Sequence, residues 1–590
     1  MFGIPWHKLP TPLALLQLLQ FRNKLREENL HDTSQIPNKG ELPKPVPSPD
    51  GSHLRVRTVD GSFNDLDRPE MGMAGTRLGR NVPLADAKVD EANLLKPSPR
   101  TVSQVLLKRD KFHPATILNL HAASWIQFQT HDWFTHGDSQ PPAEPDNSFE
   151  IPLEEDDPWR QKYGSLRVRK TLEDSTRADG NQNPPTFISK VTHWWDASQI
   201  YGSEQETVDK VRSHVDGKLL ISEDGFLPLN SEGIEQVGFP GTWWFGLSML
   251  HTLFVKEHNS ICDRLKQQYP DWRDDQLFDH ARLINAALLA KIHTVEWTPA
   301  ILPHPATDIA LNANWYGILG KDVKKLIGRI GDTELLSGIV GSTTDHNTAP
   351  YYLTEEFVSV YRMHPLIPDK FNFHSHMDGK FLAEKDFEEG FGKRARPLME
   401  EVATPDLLYS FGISHPGAIT LHNYPAFLRE LRKDDGEIFD LAAVDILRDR
   451  ERGIPRYNRF REIIGRGRVN SFDEITSNKQ WARELREVYN NDIDSVDLMV
   501  GLFAEDLPEG FGFSDTAFRV FILMASRRLK SDRFFTKDYR AEIYTQFGLD
   551  WIDNNSMLTI IRRHHPELAP ALVGVTNAFK PWRRLGTPAT

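Results

Sequence analysis

From Thr242 onward, apolar residues recur at three- and four-residue spacing in one segment after another: 247–268, 274–298, 354–364, 386–402, 426–432 and 516–530. That period fits the 3.6-residue turn of an α-helix and not the two-residue alternation of a half-buried strand. A further helix is expected from Thr101 to about His136. Strand-prone runs are few and short, with no internal repeat and no low-complexity tract. Such a chain folds as a mainly α protein, its helices joined by long loops.

Residues 31–60 are rich in Pro, Asp and Ser and read as an extended arm, residues 61–100 as ordered loop, and residues 137–159 as an acidic, Pro-rich, solvated insertion. The expected organisation is an N-terminal helix and arm over residues 1–60, followed by a single large helical domain over residues 61–590. A chain of 590 residues buries a substantial core without disulfides or structural metals. It has one cysteine, Cys262, so no internal disulfide forms, which suits a reducing compartment. Within the 247–268 segment that residue reads as a buried, inert thiol. A net charge of −13 disfavours non-specific nucleic-acid binding, although a local Arg can still hold an anionic substrate.

No run approaches the roughly 20 apolar residues that span a bilayer. The stretch 13–19, Leu-Ala-Leu-Leu-Gln-Leu-Leu, is too short and lacks a small-residue cleavage site, so no signal peptide is expected. It reads as a helix docked on the body, or as an amphipathic helix in peripheral contact with a membrane or covering a substrate mouth. The expected location is cytoplasmic or at a membrane surface.

Three constellations carry candidate chemistry. Gln127 and His131 are four apart and share a helix face, while Asp132 projects about 100° away. Alone, that spacing equally fits a core histidine and a capping aspartate. The stretch 192–203 offers side-chain oxygens at Thr192, Asp196 and Ser198 and a carbonyl at Trp194; with Asp132 these suffice for calcium, a hard cation taking six to eight oxygens. Tyr361 and His364 lie three apart in a segment that Thr354 caps and Glu355 and Glu356 begin, and are expected one turn apart on one face. No His-Glu-x-x-His pattern or cysteine pair suggests zinc.

These motifs resemble the animal-type heme peroxidase and cyclooxygenase superfamily. Trp125-Ile126-Gln127-Phe128 with His131-Asp132-Trp133, and Tyr361-Arg362-Met363-His364, look most like the fatty-acid α-dioxygenases. The resemblance covers about residues 60–580. It implies an animal heme peroxidase-like fold, with Gln127 and His131 on the distal side of a heme, His364 as its proximal ligand, and calcium at Asp132, Thr192, Trp194, Asp196 and Ser198. Thr130 stands where mammalian peroxidases carry an Asp that esterifies the heme, which implies non-covalent heme b. Asp445 stands where they carry Asn, as partner of the proximal imidazole; a carboxylate there lowers the iron potential.

The substrate end follows from the same resemblance. His293 and Thr298 match the family's carboxylate-binding segment, and Arg528, with Arg527 beside it, the cationic anchor. Peroxidases carry an Arg in the region matching 238–246; here that region holds bulky aromatics and no Arg, which implies weak general peroxidase turnover. The implied activity is addition of O2 to Cα of a long-chain fatty acid, giving a 2-hydroperoxy acid by way of a Tyr361 radical, with H2O2 as activator. The alternatives sharing the fold are a heme peroxidase using H2O2 and a mid-chain lipid dioxygenase of cyclooxygenase type.

Overall fold

Four helices that frame the interior are each started by a side chain that takes up a free backbone N–H. Asn119 Oδ1 accepts from His121 N, Thr354 Oγ1 from Phe357 N, Asp440 Oδ1 from Ala443 N and Ser514 Oγ from Ala517 N, at 3.1–3.2 Å. Each such cap stabilises its helix by about 1 kcal/mol. The computed structural model describes residues 5–40, 44–137, 147–178, 184–432 and 438–586. Among these, the strands form three two-stranded antiparallel ribbons, and the rest is helix and connection. The long helices Phe245–Gln268 and Asp274–Ile292 pack together, with Leu120–Trp133 on the first and Ala541–Asn554 on the second. One apolar cluster runs from Trp6 to Trp582 through this assembly.

The fold is mainly α, as the periodicity requires, but several boundaries differ. The expected helix 101–136 is two pieces: a short turn Pro99–Val102 with a π-helical extension Ser103–Leu107, then Leu120–Trp133 after an irregular stretch containing Pro114. The 354–364 segment is helical only over Glu355–Val360; Pro365 cannot donate a helical hydrogen bond and disfavours helix at the residue before it. Tyr361 therefore caps that helix, and His364 opens a separate 3-10 turn. The 386–402 segment is the end of a strand, two 3-10 turns and a helix Ala395–Glu401. The 426–432 segment is helix Ala426–Arg429, then strand Leu431–Arg432. In the acidic insertion, residues 138–146 lie outside the described residues. Its remainder is not wholly solvated: Ser148–Pro152 pairs with Ser165–Arg169 and buries Ile151 and Leu166.

The helix Thr11–Glu28 is docked on the body, against helices Pro305–Tyr316 and Asp515–Ser531. It buries Ala14, Leu18 and Leu25, and Arg26 pairs with Glu334 at 3.1 Å. No helix among the described residues is long and apolar enough to cross a membrane.

Candidate active site

The helix Leu120–Trp133 presents Ala123, Ile126, Gln127, Thr130 and His131, one face by spacing, as one wall of a cleft. The other wall is the turn carrying Tyr361, Met363, His364, Leu366 and Ile367, with Thr242 between the two. Losing the continuous helix at 361–364 thus does not separate the two residues; both face the cleft. Thr242 Oγ1 lies 3.2 Å from His131 Nε2 and accepts from Gln127 Nε2 at 3.1 Å, while Trp244 Nε1 donates to Gln127 Oε1 at 2.8 Å. The Phe239 ring stands edge-on to His131 at 4.9 Å. The aromatics of the 238–246 region therefore contact Gln127 and His131 directly. His131 Nδ1 is buried without a partner, and burial lowers the imidazole pKa to about 4. Thr242 holds its place with φ +46°, a left-handed conformation that costs a β-branched residue about 1–3 kcal/mol.

Across the cleft, His364 Nδ1 lies 2.9 Å from Asp445 Oδ2, on the buried helix Leu441–Glu451. Tyr424 donates to the same oxygen at 2.8 Å, and Arg362 Nη1 to Oδ1 at 2.5 Å. Arg362 also reaches Asp449 at 3.2 Å. Burial alone raises the Asp445 pKa, but His364 and Arg362 outweigh it and hold the carboxyl at about 2. The carboxylate is thus charged and fixed, and it stands within ion-pair distance of the imidazole Nδ1 without an aligned hydrogen bond to it.

Tyr361 is buried among rings: Phe357 at 4.6 Å, Trp133 at 5.1 Å and Phe521 at 5.7 Å. Its hydroxyl has no hydrogen-bond partner among the described residues, and burial raises its pKa far above 10, so it stays a phenol. The Trp133 ring also touches His293, at 5.2 Å, and carries the Arg528 guanidinium at 4.2 Å; Trp195 sandwiches that group from 4.4 Å. Arg528 Nε and Nη2 are buried without partners. Its neighbour differs: Arg527 Nη2 donates to the carbonyls of Ala349 and Pro350 at 2.8 and 2.7 Å. The two arginines that sequence could not separate therefore differ in degree: Arg527 is tied to backbone carbonyls and leaves only Nε unpartnered, whereas Arg528 leaves both Nε and Nη2. His293 opens a π-helical turn, His293–Trp297, a widened geometry that recurs at functional sites. The helix expected over 274–298 is α only to Ile292. Thr298 follows the turn, its hydroxyl donating to His293 O at 2.8 Å.

On the far side of Leu120–Trp133, Asp132 is fully buried beside the 192–198 loop. Its Oδ1 accepts from Ser198 N at 2.6 Å and Oγ at 3.0 Å, while Oδ2 has no partner. Asp196 Oδ1 accepts from Ser198 N at 3.2 Å, and Oδ2 faces Arg282 at 3.4 Å. Burial, then repulsion from Asp196, raises the Asp132 pKa well above the carboxylate range. Trp194 pins the loop, its ring stacked on Tyr351 at 4.5 Å and its Nε1 donating to Gly61 O at 2.9 Å. Thr192 is buried with them. Among the described residues there is no group of three His, Cys, Asp or Glu placed to hold a metal, so a cation here relies on hydroxyl and carbonyl oxygens besides the two carboxylates.

Sequence reasoning missed Thr242, Tyr424, Arg362 and Trp133. Tyr424 and Thr242 act over 21 and 111 residues of separation, which no local spacing encodes.

Two imidazoles on opposite walls, one backed by a carboxylate and the other unpaired at a buried nitrogen, with apolar side chains between, form a donor set that fits an axially held porphyrin. The animal haem peroxidase family description matches residues 56–573, and the chain belongs to that family of heme proteins. Alpha-dioxygenases are among its relatives within it. Alpha-dioxygenase PIOX of Oryza sativa subsp. japonica is 37% identical over 98% of this chain and 93% of its own length, and alpha-dioxygenase 1 of Arabidopsis thaliana 37% identical over 98% and 90%. The crystal structure of a tyrosine-to-phenylalanine variant of Oryza sativa fatty acid alpha-dioxygenase with palmitic acid superposes with a TM-score of 0.89 at 35% identity, covering 98% of this chain and 94% of that one. The Arabidopsis thaliana enzyme gives 0.90 at 36%, covering 100% and 91%.

Proposed function

We propose that the protein is a fatty-acid α-dioxygenase, adding O2 at Cα of a long-chain fatty acid to give the 2-hydroperoxy acid. The observation that carries the reading is one aromatic contact: the Trp133 ring touches both Tyr361, an unpartnered phenol, and Arg528, a buried cation with unused donors. An anchor that close to the phenol selects the carbon next to the carboxylate over one in mid-chain.

His364 would hold heme b, backed by Asp445, with no ester at Thr130. The chemistry heme supplies when bound is one-electron oxidation after activation by hydrogen peroxide. His131, neutral at pH 7, accepts the peroxide proton, and Gln127 is held beside it by Thr242. Tyr361 gives up its hydroxyl hydrogen as an electron and a proton and becomes the radical. Arg528 binds the substrate carboxylate, its planar fork suited to two bonds, and His293 lies at the same Trp133 ring. Thr298 joins only by turning its hydroxyl away from His293 O. The Tyr361 radical removes hydrogen from Cα, O2 adds to the carbon radical, and the phenol is restored as the peroxyl group takes its hydrogen. Calcium at Asp132, Thr192, Trp194, Asp196 and Ser198 would neutralise the paired carboxylates and lock the end of the distal helix. Phe239 and Thr242 contact His131, and Trp244 holds Gln127, where a general peroxidase needs a cation, which disfavours that reading.

The test is oxygen uptake by the heme-loaded protein on adding palmitate, beside Tyr361→Phe, with mass spectrometry of the hydroperoxide. The wild type consumes oxygen and yields the 2-hydroperoxide, and the variant does not. Equal uptake by the variant, or a mid-chain product, overturns the proposal.

A further inference from the structure

The helix Gly320–Ile327 is turned inside out. Two of its three ammonium groups point into the protein, Lys321 Nζ to Asp553 O at 2.6 Å and Lys324 Nζ to Trp315 O and Val340 O at 2.9 and 3.1 Å. Burial lowers the Lys324 pKa to about 8. Its apolar side chains point outward: Leu326 is 85% exposed, Ile327 56% and Val323 37%, with Leu319 and Ile330 continuing the face at either end. Positions 319, 323, 326 and 327 follow the spacing of one helix face, and Ile330, beyond the turn at Gly328, lies beside Leu319 and Val323. In water, the favourable arrangement is the reverse, and a clustered apolar face of this kind marks a surface that meets something apolar.

We propose that this face docks on a phospholipid bilayer, from which the enzyme draws its acyl substrate; the second half of that statement rests on the fatty-acid reading above. Two observations select a bilayer over a protein partner. The first is continuity with a cavity. An apolar cavity of about 310 Å³ lies between the helices Thr11–Glu28, Pro305–Tyr316 and Asp515–Ser531. Its lining runs from the exposed residues Ile318 and Leu335, beside the face, to the buried Leu18 and Phe521. The Phe521 ring is 5.7 Å from that of Tyr361. The apolar surface thus continues inward to a residue touching the proposed radical site. The second is size. A standard protein interface takes about 20–30 residues a side, whereas this face, even with the exposed Ile318, Leu335 and Leu336 beside it, is eight side chains on and around one short helix. An exposed apolar turn flanked by a free cation, here Lys325, suits insertion among lipid headgroups.

The experiment is flotation of the heme-loaded protein with phosphatidylcholine vesicles containing phosphatidylglycerol, comparing wild type with Leu326→Asp/Ile327→Asp. Both side chains are solvent-exposed and lie outside the catalytic machinery, so the variant should fold; if its melting temperature falls, Leu326→Ser replaces it. The wild type should float, and the variant should bind vesicles about tenfold or more weakly. Oxygen uptake should fall in parallel for palmitate supplied in vesicles and stay unchanged for detergent-dispersed palmitate. Equal flotation of both proteins, flotation of neither, or a wild-type dimer that the variant dissolves overturns the docking proposal. Absence of oxygen uptake with dispersed palmitate would instead remove the fatty-acid reading, leaving flotation to decide the docking.

Discussion

Arg528→Met separates the anchor from its neighbour. A methionine keeps a flexible apolar stem between the Trp133 and Trp195 rings and removes every donor. Arg528 Nε and Nη2 have no protein partner, so their loss strands no acceptor; losing the bond to the Tyr351 hydroxyl and the charge that faces Asp132 should lower the melting temperature only modestly. Binding is affected differently. A hydrogen bond to a charged group contributes about 1.5–3 kcal/mol, so losing one well-formed bond to the carboxylate weakens palmitate binding by about 10- to 150-fold. The bond exists before and during hydrogen abstraction, so KM should rise more than kcat falls. With the headgroup loose, the share of 2-hydroperoxide among products should drop. The assay is oxygen uptake across palmitate concentrations, with product analysis, beside a direct palmitate titration of the heme-loaded protein. Arg527→Met is the control with the opposite signature: it strands the carbonyls of Ala349 and Pro350 and should cost about 1–3 kcal/mol of stability while leaving KM alone. Unchanged KM in Arg528→Met together with a raised KM in Arg527→Met would refute the assignment.

Asp445→Asn removes the charge held against His364 and should raise the iron midpoint potential in spectroelectrochemistry; an unchanged or lower potential removes Asp445 as the partner that tunes it. Chelation of calcium should lower the melting temperature by leaving Asp132 and Asp196 to repel each other. Both have pKa values raised by burial, so the loss should shrink as pH falls and the pair takes up protons; a pH-independent loss would point away from these carboxylates. Acid unfolding should proceed in two windows. His121 and His193 are buried neutral with pKa values near 4, so their contribution drains from about pH 6.5 to 4 as the unfolded state binds the protons. Asp445 and Glu355 sit near 2, so theirs is complete above about pH 4 and lost only as pH drops toward 2. Calorimetry across that range checks both, and a single loss confined below pH 4 would contradict the histidine part.

What sequence made legible follows from the range of each interaction. Gln127 and His131 are readable as a pair because four residues bring side chains onto one helical face, and the structure keeps that geometry. Tyr361 and His364 are readable as a pair for a reason that only half survives: Pro365 ends the helix, and the turn that replaces it still aims both at one cleft. Arg527 and Arg528 are adjacent on one helix and point about 100° apart, so only the packing of Tyr351, Trp133 and Trp195 decides which of them is tied to backbone carbonyls and which lies between the two indoles. The three contacts on Asp445 come from separate segments, and the Thr242 backbone strain appears only in three dimensions.

Cys262 is sealed beneath the surface, its sulfur against the Gly217 carbonyl at 3.3 Å, and burial pushes its ionisation far above neutral pH. Peroxides attack thiolates, not thiols. A catalyst that makes lipid hydroperoxides therefore offers its own product no reactive thiol. It needs no reducing agent in storage, and inactivation during turnover has to begin elsewhere, at the ring of aromatics around Tyr361 or at methionine sulfur.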